Sequence, residues 1–346
     1  MNRNGTISYQ NILLIQTGFV GDMVLTTPLI RSVRRHAPGS RITLLHAPRT
    51  DEIIRRCPHI DRRISFDKRG AEKGMGATLR LAAALRKERF DLVISPHRSV
   101  RSGLLAVWSG AARRIGFDHP RSGLFYTDCV PYSRWESTFV RRKLRLLEPL
   151  GIEEEEETPE AYWGEEEERE VAAVLQEASV DGPYAVLAIG SAWPTKRWPP
   201  ERFGELSLLL EGKGIRSLLV GGPADRGDGA KAARAGSAVD LTGRFGLHVL
   251  APLLARAALF VGNDSGALHL ARAARVPAIA LFGPTGPEQF RFDHRVRVIR
   301  SRAFCAPCSD HGSVRCPRGD WICMPGIAAA AVAGEAERML GDHDDV

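Results

Sequence analysis

Two short stretches of this chain carry residues that could do chemistry. In the first, an apolar run from Ile12 to Ile15 leads into Gln16, Thr17, Gly18, Phe19, Val20, Gly21 and Asp22. Gly18 and Gly21 allow a tight turn with space for a ligand. Asp22 then stands where a carboxylate at the end of a first strand would face a cleft, or where it would simply cap a helix. In the second, Ala258 to Val261 leads into Gly262, Asn263, Asp264, Ser265, Gly266, Ala267, Leu268 and His269. Strand, small polar turn and helix leave free backbone N–H groups at a helix start, where an anion such as a diphosphate can sit. Asp264 or Ser265 can cap that helix. His269 falls one turn in, on the ligand side if Ser265 is. A well-capped helix without a ligand would read the same way.

Such residues need a frame that brings them to one place. Short apolar runs recur at Ile12 to Ile15, Arg41 to His46, Leu92 to Ser95, Ala185 to Ile189, Ser217 to Val220, Leu259 to Gly262 and Ala278 to Phe282. Helical patterns such as Leu79 to Lys87 and Glu201 to Glu211 alternate with them. This alternation predicts an α/β protein with parallel sheets covered on both faces. The acidic run Glu153 to Glu157 with Thr158 and Pro159 breaks the pattern, and Glu165 to Glu168 opens a new helix at its favourable end. We therefore expect two Rossmann-like domains, 1–160 and 161–325, with a C-terminal helix and tail over 326–346. Ligands in such sheets bind beyond the carboxyl ends of the strands, so polar loops from both halves are expected to share one crevice.

The chain has 346 residues, 44% of them hydrophobic and 26% charged, ordinary proportions for soluble globular domains. No run approaches the roughly eighteen apolar residues of a membrane span. Met1 to Thr6 precede the first strand directly and show no secretory leader, which predicts a cytoplasmic protein. The net charge of +7 admits nucleic acid, an anionic membrane surface or a phosphorylated substrate as partner. The basic residues are scattered as Arg34–Arg35, Arg55–Arg56, Arg62–Arg63, Arg113–Arg114 and Arg141–Arg142–Lys143, and they read as solvated faces. No nucleic-acid recognition motif accompanies them, so no nucleic-acid partner is expected. There is also no G-x-G-x-x-G fingerprint for a dinucleotide.

Four segments in order resemble glycosyltransferase family nine, the heptosyltransferases: Gly21 to Pro28, Lys196 to Pro199, Gly262 to His269 and Phe282 to Thr285. The Gly21–Asp22–Met23 start and the Arg197–Trp198–Pro199 segment are most similar to the heptosyltransferase II type. The resemblance covers nearly the whole chain. It implies the GT-B fold, with two Rossmann-like domains facing a cleft, and an inverting transfer of heptose from ADP-heptose to the inner core of lipopolysaccharide. It implies Asp22 as general base and Lys196 as a contact of the donor diphosphate. Asp264, Ser265, Gly266 and His269 fall on the donor-binding loop, where the position of Ser265 is often Thr. Ser191 falls on a diphosphate-contacting hydroxyl, while Ala192 replaces a second Thr of some members. Asp225 matches by spacing a ribose-holding carboxylate, and Phe245 a neighbour of adenine.

The chemistry of such a transfer agrees with these residue types. A leaving diphosphate needs positive counterparts already in place, here Lys196 and the N–H groups of Ser265 and Gly266. A sugar hydroxyl is a poor nucleophile and needs a base, for which Asp22 is the candidate. The family's acceptor is an anionic glycolipid. Arg98 and Arg101, following the strand Leu92 to Ser95, are placed to bind its carboxylates or phosphates, though a pair of surface arginines would look alike. A peripheral place at the inner face of the cytoplasmic membrane would follow. No Asp-x-Asp pair stands at a strand end, and Asp342, Asp344 and Asp345 lie in the tail. No cofactor is therefore required, and magnesium is compatible as a modest stimulant. A same-fold transferase using another nucleotide sugar, or a non-catalytic nucleotide-binding protein, are the rival readings.

Cys305, Cys308, Cys316 and Cys323 fall within one loop with the spacing C-x2-C-x7-C-x6-C. That spacing could clip a metal such as zinc, but its second half departs from a paired ribbon, and free thiols are the alternative. Cys57 and Cys129 are isolated and read as packing residues.

Overall fold

A computed structural model describes residues 8–68, 70–120, 123–133 and 138–341. The N-terminal Met1 to Thr6 and the tail carboxylates Asp342, Asp344 and Asp345 lie outside the described residues. The chain divides into two compact units, Met1–Glu160 and Ala161–Val346. The C-terminal helix falls within the second unit.

The first unit holds a sheet of β1 (Asn11–Gln16), β2 (Arg41–His46), β3 (Arg62–Ser65), β4 (Leu92–Ser95), β5 (Arg113–Phe117) and β6 (Asp128–Val130). The second holds β7 (Tyr184–Ala188), β8 (Arg216–Val220), β9 (Val239–Asp240), β10 (Leu259–Asn263), β11 (Ala278–Phe282) and β12 (Val296–Arg300). The sheet orders are β3-β2-β1-β4-β5-β6 and β12-β11-β10-β7-β8-β9, every pairing parallel. Each unit is thus wound Rossmann-like, with the same strand order. The winding reverses between β1 and β4 in one unit and between β7 and β10 in the other. The carboxyl ends of those strand pairs are where such a fold makes room for ligands.

The central strands are continuously apolar because both of their faces are covered. Ile12 to Ile15 and Leu259 to Val261 are at most 1% exposed. Leu13, Ile15, Leu45 and Val93 join Leu85 and Leu105 in one core of the first unit. In the second, Trp198, Phe203 and Leu206 pack with Leu187, Val261 and Met324. The helix Ala329–Gly341 adds Ala329, Val332, Ala333, Ala336 and Met339, a helical stripe of spacing three and four.

The basic pairs are not simply solvated faces. Arg62 and Arg63 lie in β3, and Arg113 and Arg114 lie in β5. Arg113 makes a forked bond to Asp128 on neighbouring β6, at 2.9 and 3.2 Å. Arg142 and Lys143 are only 1% and 5% exposed in the helix Phe139–Leu144. No helix among the described residues is long and apolar enough to cross a membrane.

Candidate active site

In the second unit, the segment leaving β7 and the turn leaving β10 are bound together. Asn263, the last residue of β10, is fully buried. Its Nδ2 donates to the Ile189 carbonyl at 3.0 Å, and its Oδ1 accepts from the Trp198 amide at 2.9 Å. Between those two anchors runs the loop that carries Ser191 and Lys196. Arg197 tightens it further. Its Nε and Nη2 donate to the Ser191 carbonyl at 3.1 and 2.9 Å, and it pairs with Asp225 at 3.0 Å and Asp228 at 3.2 Å. Asp225 also accepts from the Gly222 amide at 2.9 Å.

Lys196 ends a single turn of 3-10 helix, Pro194–Lys196. Its Nζ meets Asp264 Oδ2 at 2.7 Å, and Thr285 Oγ1 donates to the same oxygen at 2.8 Å. Asp264 is 6% exposed. Burial works against its charge, but the Lys196 ammonium, with His269 and the Thr285 hydroxyl, holds the carboxyl below its ordinary range. Asp264 therefore does not cap the following helix, Gly266–Ala273, and neither does the Ser265 side chain, although Ser265 occupies the N-cap position. Ser265 Oγ is buried without a hydrogen-bond partner among the described residues. A buried hydroxyl left unsatisfied at a helix start is uncommon and calls for an explanation. His269, 4% exposed, packs against Phe290 with ring centroids 4.8 Å apart.

The loop with four cysteines braces this lysine from behind. Thr195 Oγ1 donates to the Ser313 carbonyl at 2.8 Å and accepts from the Ser313 amide at 2.9 Å. Trp321 Nε1 donates to the Thr195 carbonyl at 3.0 Å. Gly312, at φ +84°, lies against the Lys196 stem, where an added Cβ would fall 2.8 Å from Cγ. Cys305, Cys308, Cys316 and Cys323 line one small cavity together with Thr195 and Trp321. All are free thiols, and no three His, Cys, Asp or Glu side chains among the described residues are gathered as metal ligands.

In the first unit, Asp22 stands third in the short helix Val20–Val24 after β1. Its Oδ2 accepts the Phe19 amide at 3.1 Å, which orients the carboxylate over the start of its own helix. Gly18 is required beneath it, since a Cβ there would lie 2.8 Å from that same oxygen. Gln16 accepts the Gly18 amide at 3.1 Å and donates to Thr26 Oγ1 at 3.0 Å. Beyond β4, His97 Nδ1 lies 2.9 Å from Ser102 Oγ and 3.3 Å from Thr17 Oγ1, and Lys68 Nζ donates to Thr17 Oγ1 at 2.9 Å. The carboxyl ends of β1 and β4 are thereby joined through Thr17.

Ser191, Lys196, Asp264, Ser265, Gly266 and His269 thus gather at the winding reversal of the second unit, and Asp225 joins them through Arg197. Phe245 is half-buried in the turn before the helix Leu247–Ala255. The two arginines separate. Arg98 is exposed and stacks 3.6 Å over the Tyr132 ring, whereas Arg101 donates to the Lys68 carbonyl at 3.0 Å. Arg197, Asn263 and Thr285 lie inside the motif segments but were given no role of their own there, and Lys143 was read only as part of a solvated basic triplet. A signal for Lys143 was available, because it lies on the stripe Val140, Lys143, Leu144, Leu147 at helical spacing.

The family model of glycosyltransferase family 9 (heptosyltransferase) matches residues 78–316. The chain belongs to this family. It is a glycosyltransferase, and its two Rossmann-like units are those of the GT-B fold. Lipopolysaccharide heptosyltransferase 1 of Pseudomonas aeruginosa is 28% identical over 354 aligned positions, 95% of this chain and 98% of that one. Among solved structures, a family 9 glycosyl transferase from Veillonella parvula superposes with a TM-score of 0.83 at 24% identity, covering 98% of this chain and all of the other. The E. coli ADP-heptose lps heptosyltransferase II superposes at 0.81 with 23% identity, covering 97% of this chain and 100% of that one. Both structural likenesses concern the fold.

Proposed function

We propose that this glycosyltransferase moves heptose from ADP-heptose to the inner core of lipopolysaccharide, inverting the anomeric centre, with Asp22 as general base. The observation that carries the donor side is the cluster at the helix Gly266–Ala273. A lysine held by a buried carboxylate stands beside a helix start whose Ser265 hydroxyl is unsatisfied. A diphosphate supplies what that hydroxyl lacks, accepts the free N–H groups, and shares the Lys196 ammonium with Asp264. Asp264 holds the lysine aimed before the donor arrives, so no reorganisation is needed as negative charge grows on the leaving group. Asp225 and Phe245 are proposed to hold the ribose and the adenine.

In the proposed step, the acceptor oxygen attacks the anomeric carbon as the bond to the diphosphate breaks. The acceptor proton passes to the Asp22 carboxylate, and ADP leaves. The acceptor is a membrane glycolipid, so the protein is proposed to act in the cytoplasm at the inner face of the cytoplasmic membrane. The relatives named above support this reading through what their names say they act on. The deciding experiment incubates purified protein with ADP-heptose and a truncated lipopolysaccharide acceptor and weighs the product. Addition of one heptose supports the reading. Transfer only from another nucleotide sugar, or no transfer with thermal stabilisation by single-stranded nucleic acid rather than ADP, overturns it.

Two further outcomes are expected. Arg98→Ala combined with Arg101→Ala should raise the acceptor KM much more than the donor KM, and the acceptor effect should shrink with added salt. Steady-state kinetics at two ionic strengths measure this, and equal effects on both substrates would remove the arginines from acceptor binding. Activity should also survive exhaustive chelation by EDTA, with at most modest stimulation by magnesium, because Lys196 and the helix start supply the positive charge. Loss restored by one divalent ion would overturn the metal-independent assignment. If the loss came with unfolding and zinc alone restored it, the loop of Cys305 to Cys323 would be the cause.

A further inference from the structure

Asp22 is supported from beneath by a charged side chain that the proposed reaction has not yet used. Lys143 projects from the helix Phe139–Leu144 and is 5% exposed. Its Nζ donates to the Asp22 carbonyl at 2.7 Å and to Thr26 Oγ1 at 3.0 Å. Thr26 Oγ1 itself donates to the Asp22 carbonyl at 2.5 Å and accepts from Gln16 Nε2, which is tied through Gln16 Oε1 to the Gly18 amide. One buried network therefore runs from Lys143 through Asp22, Thr26 and Gln16 to Gly18, using the Asp22 carbonyl and leaving its carboxylate to the Phe19 amide.

A fully buried lysine is a costly way to make two hydrogen bonds. Burial pushes the Lys143 ammonium down to about 8, against the attraction of Asp22, and Arg142 on its own helix pushes in the same direction as burial. Those two are the charges that act on it; on the helix Thr27–His36 packed alongside, Arg31, Arg34 and Arg35 are paired with Glu160, Asp61 and Glu154. A Met or Leu would fill this volume at less cost to stability. What a cation adds is a charge-assisted grip on a carbonyl, roughly twice as strong as a neutral one, at the residue whose carboxylate must be aimed.

We propose that Lys143 is a positioning residue for the general base, fixing the Gln16–Asp22 turn through the Asp22 carbonyl so that the carboxylate is aimed before the acceptor binds. This rests on the reading of Asp22 as base. It makes Lys143 a determinant of turnover rather than of substrate affinity, since it faces the backbone of the turn and not a ligand. It also ties the reaction to the protonation of a buried amine: below about pH 8 the ammonium holds the turn with its charge, and above that pH the grip weakens.

The test uses the full chain with ADP-heptose and the truncated acceptor. Lys143→Met should lower kcat by about tenfold to a hundredfold, the scale of a misaimed catalytic group. The KM for the donor should stay within about twofold. The melting temperature should hold or rise, because a buried charge has been removed. Wild-type kcat should decline above about pH 8, and the variant should lack that decline. Lys143→Gln, which keeps a neutral donor of similar length, should recover part of the loss at pH 7 and likewise lack the alkaline decline, and it serves if the Met variant does not fold. Wild-type kcat in a folded variant, or a fall in kcat matched by equal falls in donor affinity and melting temperature, overturns the proposal. Asp22→Asn separates the two claims. If that variant turns over normally, the base assignment fails; if it is inactive while Lys143→Met is unaffected, only the role of Lys143 fails.

Discussion

Asp22→Asn is expected to reduce turnover by about 10²- to 10⁴-fold, the usual contribution of a positioned general base. The substitution keeps the shape of the side chain and an oxygen able to accept the Phe19 amide, so the helix Val20–Val24 retains its bond. What it removes is the capacity to take a proton. Donor binding should be largely intact, because the donor cluster is built from β7 and β10 in the other unit. Single-turnover kinetics with ADP-heptose, paired with calorimetric titration of ADP, read both quantities. Near-wild-type turnover under conditions where chemistry limits the rate would remove Asp22 from the role.

Lys196→Ala should weaken donor binding and slow the chemical step together, lowering kcat/KM for the donor by about 10²-fold or more, since charge accumulates on the diphosphate in the transition state. An unchanged kcat/KM would exclude the lysine from the site. The same change should cost stability, because Asp264 is left buried with its main counter-charge gone. Breaking such a pair is commonly worth about 3–5 kcal/mol, an upper range here since Thr285 and His269 remain. The sign of the pH effect follows. Asp264 titrates lower in the folded protein than in the unfolded chain, so its contribution is fully present above the unfolded value and is lost as the pH falls through the folded one. In Lys196→Ala that acid-side dependence should flatten. Melting curves between about pH 3 and 7 measure it. A variant as steep as the wild type would show that Lys196 does not set the carboxyl's state.

What the sequence makes legible follows from where polar residues fall. β1 and β10 are readable because a doubly covered strand must be an unbroken apolar run, and the turns behind them follow at once. β3 and β5 open on arginine pairs and β12 alternates Val296, Arg297, Val298, Ile299, Arg300, so a search for closed apolar runs passes them by. Those arginines are accommodated by partners far along the chain, as Arg113 is by Asp128. The donor cluster was legible as a set of residues but not as a set of bonds. Asp264 reads locally as a cap, and only the return of the chain at Lys196 and Thr285 gives it another task. Lys143 was hidden by composition: three consecutive basic residues suggest a solvated face, and the helical stripe that buries one of them is visible only when its register is read against Val140 and Leu144.

The two sheets share a winding order, and every strand pairing closes within its own unit. A break in the gene near the codon for Glu160 would therefore sever no strand ladder among the described residues. Recombination at that point could join one half, with the proposed base and the proposed acceptor-binding arginines, to the proposed donor half of another member of the fold. Under the proposed assignment of the two halves, variation in what is glycosylated and in which activated sugar is used would be inherited separately, each through its own stretch of coding sequence.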